Sequence, residues 1–240
     1  RFESRGLGDV YKRQLLGFIS VDPRAFAEYF LYFLGVVAAI YFAYLLLLAG
    51  LSSQEKKNVF LLMILFVAAM FFWSGFDQSG GSLSIFARDY TDLSVVGYVI
   101  PVGWLQFANP LFVVIFAPIF AGIWTNLARV NLNPSYPLKF AIGMFFMAIS
   151  FLVMIAAVEL ALVSAPVGMQ WLIITYLLHT WGELALSPVG LAAFSEYSPK
   201  KYQGQMFGLW FLASALGGVL AGLLGGCLLY TSDAADEVDG

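Results

Sequence analysis

Charged residues are scarce in this chain. Asp, Glu, Lys and Arg make up 11% of its 240 residues, whereas about a quarter of the residues in soluble domains are charged. The hydrophobic share is 61%, and the mean hydropathy is +0.84. These values exclude an ordinary water-soluble domain and indicate an integral membrane protein. The net charge of −3 also gives no reason to expect nucleic acid as a partner.

Cysteine and histidine occur once each. A single cysteine excludes an intrachain disulfide and a cysteine-based metal cluster. His179 and Glu183 have the i, i+4 spacing of helical metal ligands, but the chain has no second histidine and no H-E-x-x-H pattern. We therefore expect no metal and no cofactor. Because no nucleophile–base arrangement is present either, we do not expect an enzyme.

Six long apolar segments follow one another along the chain. They cover about 25–51, 59–73 with a continuation to 92, 103–127, 138–163, 169–194 and 206–226. Each is long enough to cross about 30 Å of hydrocarbon at about 1.5 Å per residue. Backbone groups find no water in lipid, so each segment is predicted to be helical. The predicted fold class is an all-α integral membrane protein.

Basic residues alternate between the loops that join these segments. Every second loop is basic, and these loops contain Lys56, Lys57, Arg129, Lys139, Lys200 and Lys201. The intervening loops contain Arg88 beside two aspartates, and an uncharged stretch around Pro166. The positive-inside rule therefore predicts that the basic loops are cytoplasmic. Arg24, on the outer side of the first segment, does not follow the rule.

Three polar residues inside the apolar segments are candidates for function, because polar groups are costly to bury in lipid. They are Asp77 in "FWSGFDQSGGS", Asn109 in "WLQFANPLF" and Glu183 in "HTWGELALSPVG". Asp77 could instead be a helix-end residue paired with a base such as Arg88. Glu183 could instead lie on the surface, and the Asn109-Pro110 pair could be a simple kink.

Glycines and prolines lie close to these polar residues. Glycine loosens a helix and lets neighbours approach closely, and an internal proline removes a backbone hydrogen bond. We therefore predict helix hinges at Gly80, Gly81, Pro110, Pro118 and Pro188.

Residues 71–92, 104–124 and 177–222 resemble the carboxyl half of the proton-dependent oligopeptide transporter family, part of the major facilitator superfamily. The resemblance rests on "FFWSGFDQSGG", "WLQFANPLFVVIFAPIF" and "LLHTWGELALSPVG", in the family's order, and it covers about 21–226. It implies a partial major facilitator fold of about six transmembrane helices. The first segment resembles a helix between the two halves of that fold, and the next five resemble core helices seven to eleven.

The resemblance also implies roles for individual residues. Asp77 replaces the usual glutamate of an F-E-Q motif, which takes part in proton coupling through a salt bridge to a first-helix arginine. Glu183 matches a glutamate associated with the peptide's amino group and with a fourth-helix lysine. Asn109 matches an asparagine associated with the peptide backbone or carboxylate. Trp73 and Trp210 match pocket aromatics, although both also suit lipid-facing or packing positions.

The implied activity is proton-coupled import of di- and tripeptides across a bacterial cytoplasmic membrane, driven by the proton gradient. The implied partners are these peptides, protons, the lipid bilayer and the amino-terminal half of the same transporter. The first-helix E-x-x-E-R motif, the fourth-helix lysine and the twelfth helix are absent from this sequence. Two alternatives remain: a membrane scaffold or assembly subunit whose carboxylates only specify helix packing, and a major facilitator transporter for another small solute.

The two ends of the chain carry related hexapeptides. "DVYKRQ" at 9–14 and "CLLYTS" at 227–232 can be encoded by one short DNA element read in opposite orientations, which resembles the end of a sequencing transposon. We therefore expect 1–14 and 227–240 to be translated adaptor, and 15–226 to be the membrane domain. The alternative at the carboxyl end is a native acidic tail.

Overall fold

A computed structural model describes the backbone of residues 23–238 and the side chains of 24–226. The segment 1–14, which the sequence assigns to adaptor, lies outside the described residues. Of 227–240, only the helical backbone up to Val238 is described.

Seven α-helices make up most of the described chain. They are α1 (Pro23–Leu47), α2 (Ser53–Phe76), α3 (Ser82–Tyr90), α4 (Ala108–Arg129), α5 (Tyr136–Ser164), α6 (Gln170–Tyr197) and α7 (Gln203–Val238). Short 3₁₀ turns occupy Asp77–Ser79, Val102–Phe107 and Lys200–Tyr202. Each of the six apolar segments is helical, and the predicted all-α class is confirmed.

Five of the spans are long and apolar enough to cross a membrane: Arg24–Leu47, Ser53–Tyr90, Val102–Arg129, Tyr136–Ser164 and Lys200–Gly226. Helix α6 has comparable length, 28 residues, but it carries the polar positions His179, Thr180 and Glu183. It is also rich in buried residues and packs against α2, α4, α5 and α7. His179 and Thr180 are buried on this helix and therefore face protein rather than lipid.

Helix α2 begins with a capping box. The backbone N–H of Ser52 donates to Glu55 Oε2 at 2.9 Å, and the backbone N–H of Glu55 donates to Ser52 Oγ at 3.3 Å. These two bonds satisfy backbone donors that the first helical turn leaves free. Just before the cap, Gly50 adopts a φ of +67°, which suits glycine and turns the chain from α1 into α2.

The second apolar segment is broken rather than continuous. Helix α2 ends at Phe76, the 3₁₀ turn Asp77–Ser79 follows, and α3 begins at Ser82. Gly80 and Gly81 therefore lie at the break, where the sequence predicted a hinge.

Helix α3 leads into three two-residue strands, β1 (Thr91–Asp92), β2 (Ser94–Val95) and β3 (Tyr98–Val99). A fourth, β4 (Val167–Gly168), follows α5. Strands β2 and β3 form a short antiparallel hairpin. Strand β1 pairs in parallel with β4, the link between α5 and α6. The loop after α3 and the loop after α5 therefore lie at the same end.

The basic loops meet at the opposite end. There Tyr44 Oη and Tyr202 Oη are 3.2 Å apart, which joins the end of α1 to the start of α7. Tyr136 Oη donates to Glu196 at 2.5 Å, which joins the start of α5 to the end of α6. The helices therefore alternate in direction, as the charge pattern predicted.

Two close helix crossings depend on glycine. A methyl group at Gly143 on α5 would lie 2.9 Å from the carbonyl oxygen of Gly182 on α6. A methyl group at Gly217 on α7 would lie 2.6 Å from Trp73 Cβ and 2.7 Å from the Met70 carbonyl oxygen on α2. Small residues let membrane helices approach until their backbones are nearly in contact.

Most of the apolar core lies between α1, α2, α5, α6 and α7. Its largest fully buried side chains include Phe72, Phe194, Leu62, Leu65 and Met206. Helix α4 has no buried residue and packs mainly on α6. This arrangement leaves α4 at the periphery, where Asn109 can reach α6 from the side.

Candidate functional site

Asn109 joins two helices through its side-chain amide. It is the second residue of α4, and its Nδ2 donates to Glu183 Oε2 and to Thr180 Oγ1 on α6, each at 3.0 Å. Thr180 Oγ1 in turn donates to the Tyr176 carbonyl oxygen at 2.8 Å. An amide has two donors and one oxygen acceptor. Among the described residues the Oδ1 atom of Asn109 has no hydrogen-bond donor, so it can accept from a ligand.

Glu183 is half-buried in the middle of α6, and its neighbours Leu184, Ala185 and Leu186 are buried. Within the described part of the chain, no Lys or Arg forms an ion pair with it. A carboxylate in such a place is costly unless a cation or several hydrogen-bond donors face it. Asn109 supplies one donor, and the remaining lone pairs of the carboxylate stay open to a cationic group.

Asp77 lies at the end of α2, where its backbone N–H caps the last helical carbonyls. Its side chain is exposed on the chain as described, rather than deep in a continuous helix as the sequence suggested. It borders a cavity of about 380 Å³ lined mainly by glycines of the break and of α7. A methyl group at Gly218 would lie 3.0 Å from Asp77 Oδ2, so Asp77 faces α7.

Arg88, the base suggested as a partner of Asp77, is engaged elsewhere. Its guanidinium forms a bidentate pair with the neighbouring Asp89, with distances of 2.7 and 2.8 Å. The pairing of Asp77 with Arg88, which the sequence left open, is therefore wrong.

The structure brings Asn109 and Glu183 together and leaves the two tryptophans in helix packing. Trp73 is half-buried, with its ring centroid 5.2 Å from that of Phe76. Trp210 is 3% exposed, and its ring lies 5.4 Å from that of Phe194. In this chain Trp210 takes the packing position that the sequence allowed as an alternative.

The three predicted proline hinges do not end their helices, whereas the second apolar segment breaks at Gly80 and Gly81. Pro110 is the third residue of α4 and follows a 3₁₀ turn, so it marks the start of the α-helix rather than a kink within it. Pro118 and Pro188 lie inside α4 and α6, and both helices run on past them. Movement at any of these positions stays a prediction.

Gln78 is a residue that the sequence analysis missed. It is 6% exposed, its Nε2 donates to the Ala221 carbonyl oxygen on α7 at 3.1 Å, and its Oε1 accepts from Ser82 Oγ at 2.9 Å. It therefore ties the end of α2 to α7 and to the first residue of α3. Its position directly after Asp77 in the "FDQ" motif was the available signal.

His179 is buried one helical turn before Glu183. Its ring centroid lies 5.8 Å from those of Phe76 and Phe151. Within the described residues, no group of three or more His, Cys, Asp or Glu side chains could hold a metal ion.

Comparison with known proteins gives a consistent result. Residues 24–236 match the model of the POT family, PTR2. Peptide transporter YePEPT of Yersinia enterocolitica is 41% identical over 225 residues, which cover 93% of this chain and 43% of that protein. The di-/tripeptide transporter of Lactococcus lactis subsp. cremoris is 30% identical over 212 residues, or 84% of this chain and 42% of that protein.

Solved structures show the same similarity. A crystal structure of a mutant of peptide transporter POT in complex with alafosfalin superposes with a TM-score of 0.79 at 32% identity. The match covers 91% of this chain and 44% of that one, so this chain spans less than half the length of the relatives it matches. The chain therefore belongs to the POT family of transporters, as a multi-pass membrane protein with part of the major facilitator fold.

Proposed function

We propose that this chain is the carboxyl-terminal half of a proton-coupled symporter that imports di- and tripeptides across a bacterial cytoplasmic membrane. Relatives named as peptide and di-/tripeptide transporters support the substrate class. The single observation that carries the proposal is the Asn109–Glu183 pair, a polar site shared by α4 and α6. Hereafter, the full-length transporter means this chain together with the amino-terminal half proposed for it.

Glu183 and Asn109 have the groups that a peptide's ammonium needs. An ammonium is a triple hydrogen-bond donor with one positive charge. The open carboxylate lone pairs of Glu183 and the free Oδ1 of Asn109 are acceptors on neighbouring helices. The hydrogen bond from Asn109 Nδ2 to Glu183 Oε2, 3.0 Å long, holds the two side chains together. Charge-assisted bonds to a carboxylate are about twice as strong as neutral ones. The pair therefore selects substrates with a free amino terminus.

Asp77 has a separate role in this proposal. It lies on the exposed surface of the chain and borders the glycine-lined cavity beside α7, whose lining includes neither Asn109 nor Glu183. A carboxylate that alternates between a cation and a proton couples proton movement to helix rearrangement. The proposed cation is an arginine of the amino-terminal half, and the break at Gly80 and Gly81 lets the segment after Asp77 respond.

The amino-terminal half completes the transport path. Major facilitator transporters bind substrate near the membrane midplane, between two six-helix halves. The proton gradient supplies the driving force, and the proposal needs no cofactor. The cationic side of the pocket is assigned to that other half, and in this proposal Asn109 faces the ammonium rather than the peptide backbone or carboxylate that the resemblance implies.

Uptake of labelled dipeptide into proteoliposomes containing the full-length transporter tests the two roles separately. Asp77→Asn should abolish uptake driven by a proton gradient but retain peptide exchange, because binding is intact while coupling is lost. Glu183→Gln should weaken binding of peptides with a free amino terminus by about 10- to 100-fold, because it removes the charge that faces the ammonium. Peptides with a blocked amino terminus should lose much less.

Glu159→Gln is the matched control, since Glu159 is an exposed carboxylate on α5. It should transport as the unchanged protein does. Proton-driven uptake at the original rate in Asp77→Asn would contradict the coupling role. If Glu183→Gln leaves peptide affinity unchanged, Glu183 is a packing residue, and the scaffold alternative gains support.

A further inference from the structure

A polar cavity of about 280 Å³ lies at the end of the bundle where the basic loops meet. It is formed by the loop between α4 and α5, by the first turn of α5 and by the end of α6. Its lining includes neither Asn109 nor Glu183, so it is separate from the peptide site proposed above. The polar and aromatic residues that line it are Asn133, Ser135, Tyr136, Lys139, Glu196 and Tyr197.

Lys139 brings an unneutralised positive charge to this cavity. It is the fourth residue of α5 and is only 7% exposed. Its ammonium lies over the Trp124 ring, 4.9 Å from the centroid, and within residues 24–226 it forms neither a hydrogen bond nor an ion pair. The Nζ atom is not sealed off, since it keeps surface open to a ligand. A largely buried ammonium is costly without an acceptor, so the cavity favours an anionic group.

Other hydrogen-bond donors line the same space. Ser135 is the N-cap of α5, and its hydroxyl makes no capping bond. Asn133 adds a side-chain amide from the preceding loop. The first turn of a helix also carries a partial positive charge and free backbone N–H groups. A phosphate fits such a set of donors, because it has several acceptor oxygens and binds readily at helix starts.

Glu196 places the opposite charge in the same cavity. Tyr136 Oη donates to its carboxylate at 2.5 Å, and the Tyr136 ring packs edge-on against Tyr197, with centroids 5.4 Å apart. These contacts hold the carboxylate in place. In the part of the chain that the structure describes, Glu196 and Lys139 form no ion pair with each other. A ligand with a phosphate and an ammonium some distance apart would compensate both charges at once.

The surroundings of the cavity suit a lipid rather than a small soluble zwitterion. Three apolar side chains near it in the sequence are exposed: Val130 by 62%, Leu132 by 68% and Leu138 by 52%. Apolar side chains at the end of a membrane helix lie where acyl chains meet their headgroups. A bound phospholipid therefore covers apolar surface that a free anion or a peptide leaves exposed.

We propose that this cavity binds the headgroup of a phospholipid from the leaflet at the basic end of the bundle, and that it prefers phosphoethanolamine. The phosphate takes the bonds of Lys139 and Ser135, and the ethanolamine ammonium faces Glu196. A phosphoglycerol headgroup has the phosphate but no ammonium, so it leaves Glu196 facing an anion. The inference does not depend on which solute the protein transports.

Native mass spectrometry of the purified full-length transporter tests this directly. The protein is titrated with phosphatidylethanolamine or phosphatidylglycerol that carry the same acyl chains, and bound lipid is counted. Phosphatidylethanolamine should bind about tenfold more tightly, because only it satisfies both charges. Equal affinity for the two lipids, or no retained lipid, would overturn the inference.

Two variants separate the two charges. Lys139→Gln should weaken both lipids by about tenfold, because they share the phosphate, and Lys139→Arg should restore most of the binding. Glu196→Gln should weaken phosphatidylethanolamine but strengthen phosphatidylglycerol, so that the preference is lost. This ratio does not depend on how much of the protein folds, and a merely structural role of Glu196 would not change it. A preference that survives in Glu196→Gln would contradict the assignment.

Controls distinguish this cavity from general charge and from other ligands. Lys57→Gln removes an exposed basic residue at the same end and should leave both affinities unchanged. The same loss in Lys57→Gln as in Lys139→Gln would show nonspecific attraction and refute the site. Excess inorganic phosphate or Ala-Ala should leave the lipid bound, because neither has acyl chains. Displacement by phosphate would make this a site for a free anion, and displacement by Ala-Ala a peptide site; either result would overturn the lipid assignment.

Discussion

Asn109 brings both a hydrogen-bond donor and a hydrogen-bond acceptor to the proposed site. Its Nδ2 holds the Glu183 carboxylate and Thr180, and its Oδ1 stays open to a ligand. We predict that Asn109→Asp lowers peptide affinity by about 100-fold or more, because a second carboxylate then lies where the donor was and repels Glu183. Competition binding to the purified full-length transporter measures this. Asn126→Asp, at an exposed position on the same helix, should bind normally; similar losses in both variants would contradict the assignment.

Gln78 makes a different kind of contribution, to the stability of the helix break. Its amide bonds both Ala221 on α7 and Ser82 on α3 while almost fully buried. Replacing it by leucine of similar size removes both bonds and leaves the Ser82 hydroxyl without its acceptor. We predict that Gln78→Leu lowers the free energy of unfolding by about 1–3 kcal/mol, seen as a lower melting temperature in detergent. Gln54→Leu, exposed near the start of α2, is the control and should change little; equal melting temperatures for the two variants would rule out this role for Gln78.

At the scale of helices, the crossing of α2 and α7 depends on the missing side chain of Gly217. A methyl there would lie 2.6 Å from Trp73 Cβ and 2.7 Å from a backbone oxygen, which cannot move without shifting α2. We predict that Gly217→Ala destabilises the fold by about 1–3 kcal/mol, the usual effect of overpacking. Gly222→Ala on the same helix meets nothing within 4 Å and should leave the melting temperature unchanged. Equal melting temperatures for the two variants would show that the helices are not packed this closely.

The helices themselves could be predicted from the sequence, because the backbone groups of a long apolar segment in lipid find no water and bond to each other within a helix. Their ends differ by a few residues from the prediction, since capping at Ser52 and the turn at Gly50 are set by local hydrogen bonds and dihedral angles. The break in the second segment lies at Gly80 and Gly81, where the sequence predicts a hinge, and movement at this hinge stays a prediction. Pro110 lies at the start of α4 rather than inside it, because a 3₁₀ turn that apolar length cannot reveal precedes this helix.

Contacts between distant residues were harder to predict. Asn109 and Glu183 are 74 positions apart, so their hydrogen bond depends on how α4 packs on α6, which no local pattern encodes. The same limit applies to Trp210. The sequence around an aromatic residue in an apolar helix is similar whether the residue lines a pocket or packs where two helices cross. The roles of Asp77 and Glu183 came from family resemblance, and the structure adds that these two carboxylates face different neighbours.

At the scale of the whole molecule, the structure separates the loops into two groups. Contacts between Tyr44 and Tyr202, and between Tyr136 and Glu196, gather the lysine-rich loops at one end. The pairing of β1 with β4 gathers the loops near Asp92 and Val167 at the other. Because the two groups cannot lie on the same side of a bilayer, one measurement at each end determines the orientation of the chain.

We predict that the lysine-rich end is cytoplasmic, since basic residues are retained on that side during insertion. Lys56, Lys200, Asp92 and Ser164 are exposed and suit single cysteine substitutions in a cysteine-free background of the full-length transporter. A membrane-impermeant maleimide added to intact cells should label Asp92→Cys and Ser164→Cys but not Lys56→Cys or Lys200→Cys. Permeabilised cells are the control and should label at all four positions. Labelling of Lys200→Cys from outside, with protection of Ser164→Cys, would invert the predicted orientation. Labelling of both Lys56→Cys and Asp92→Cys from outside would contradict the crossing of the bilayer by α2 and α3 together.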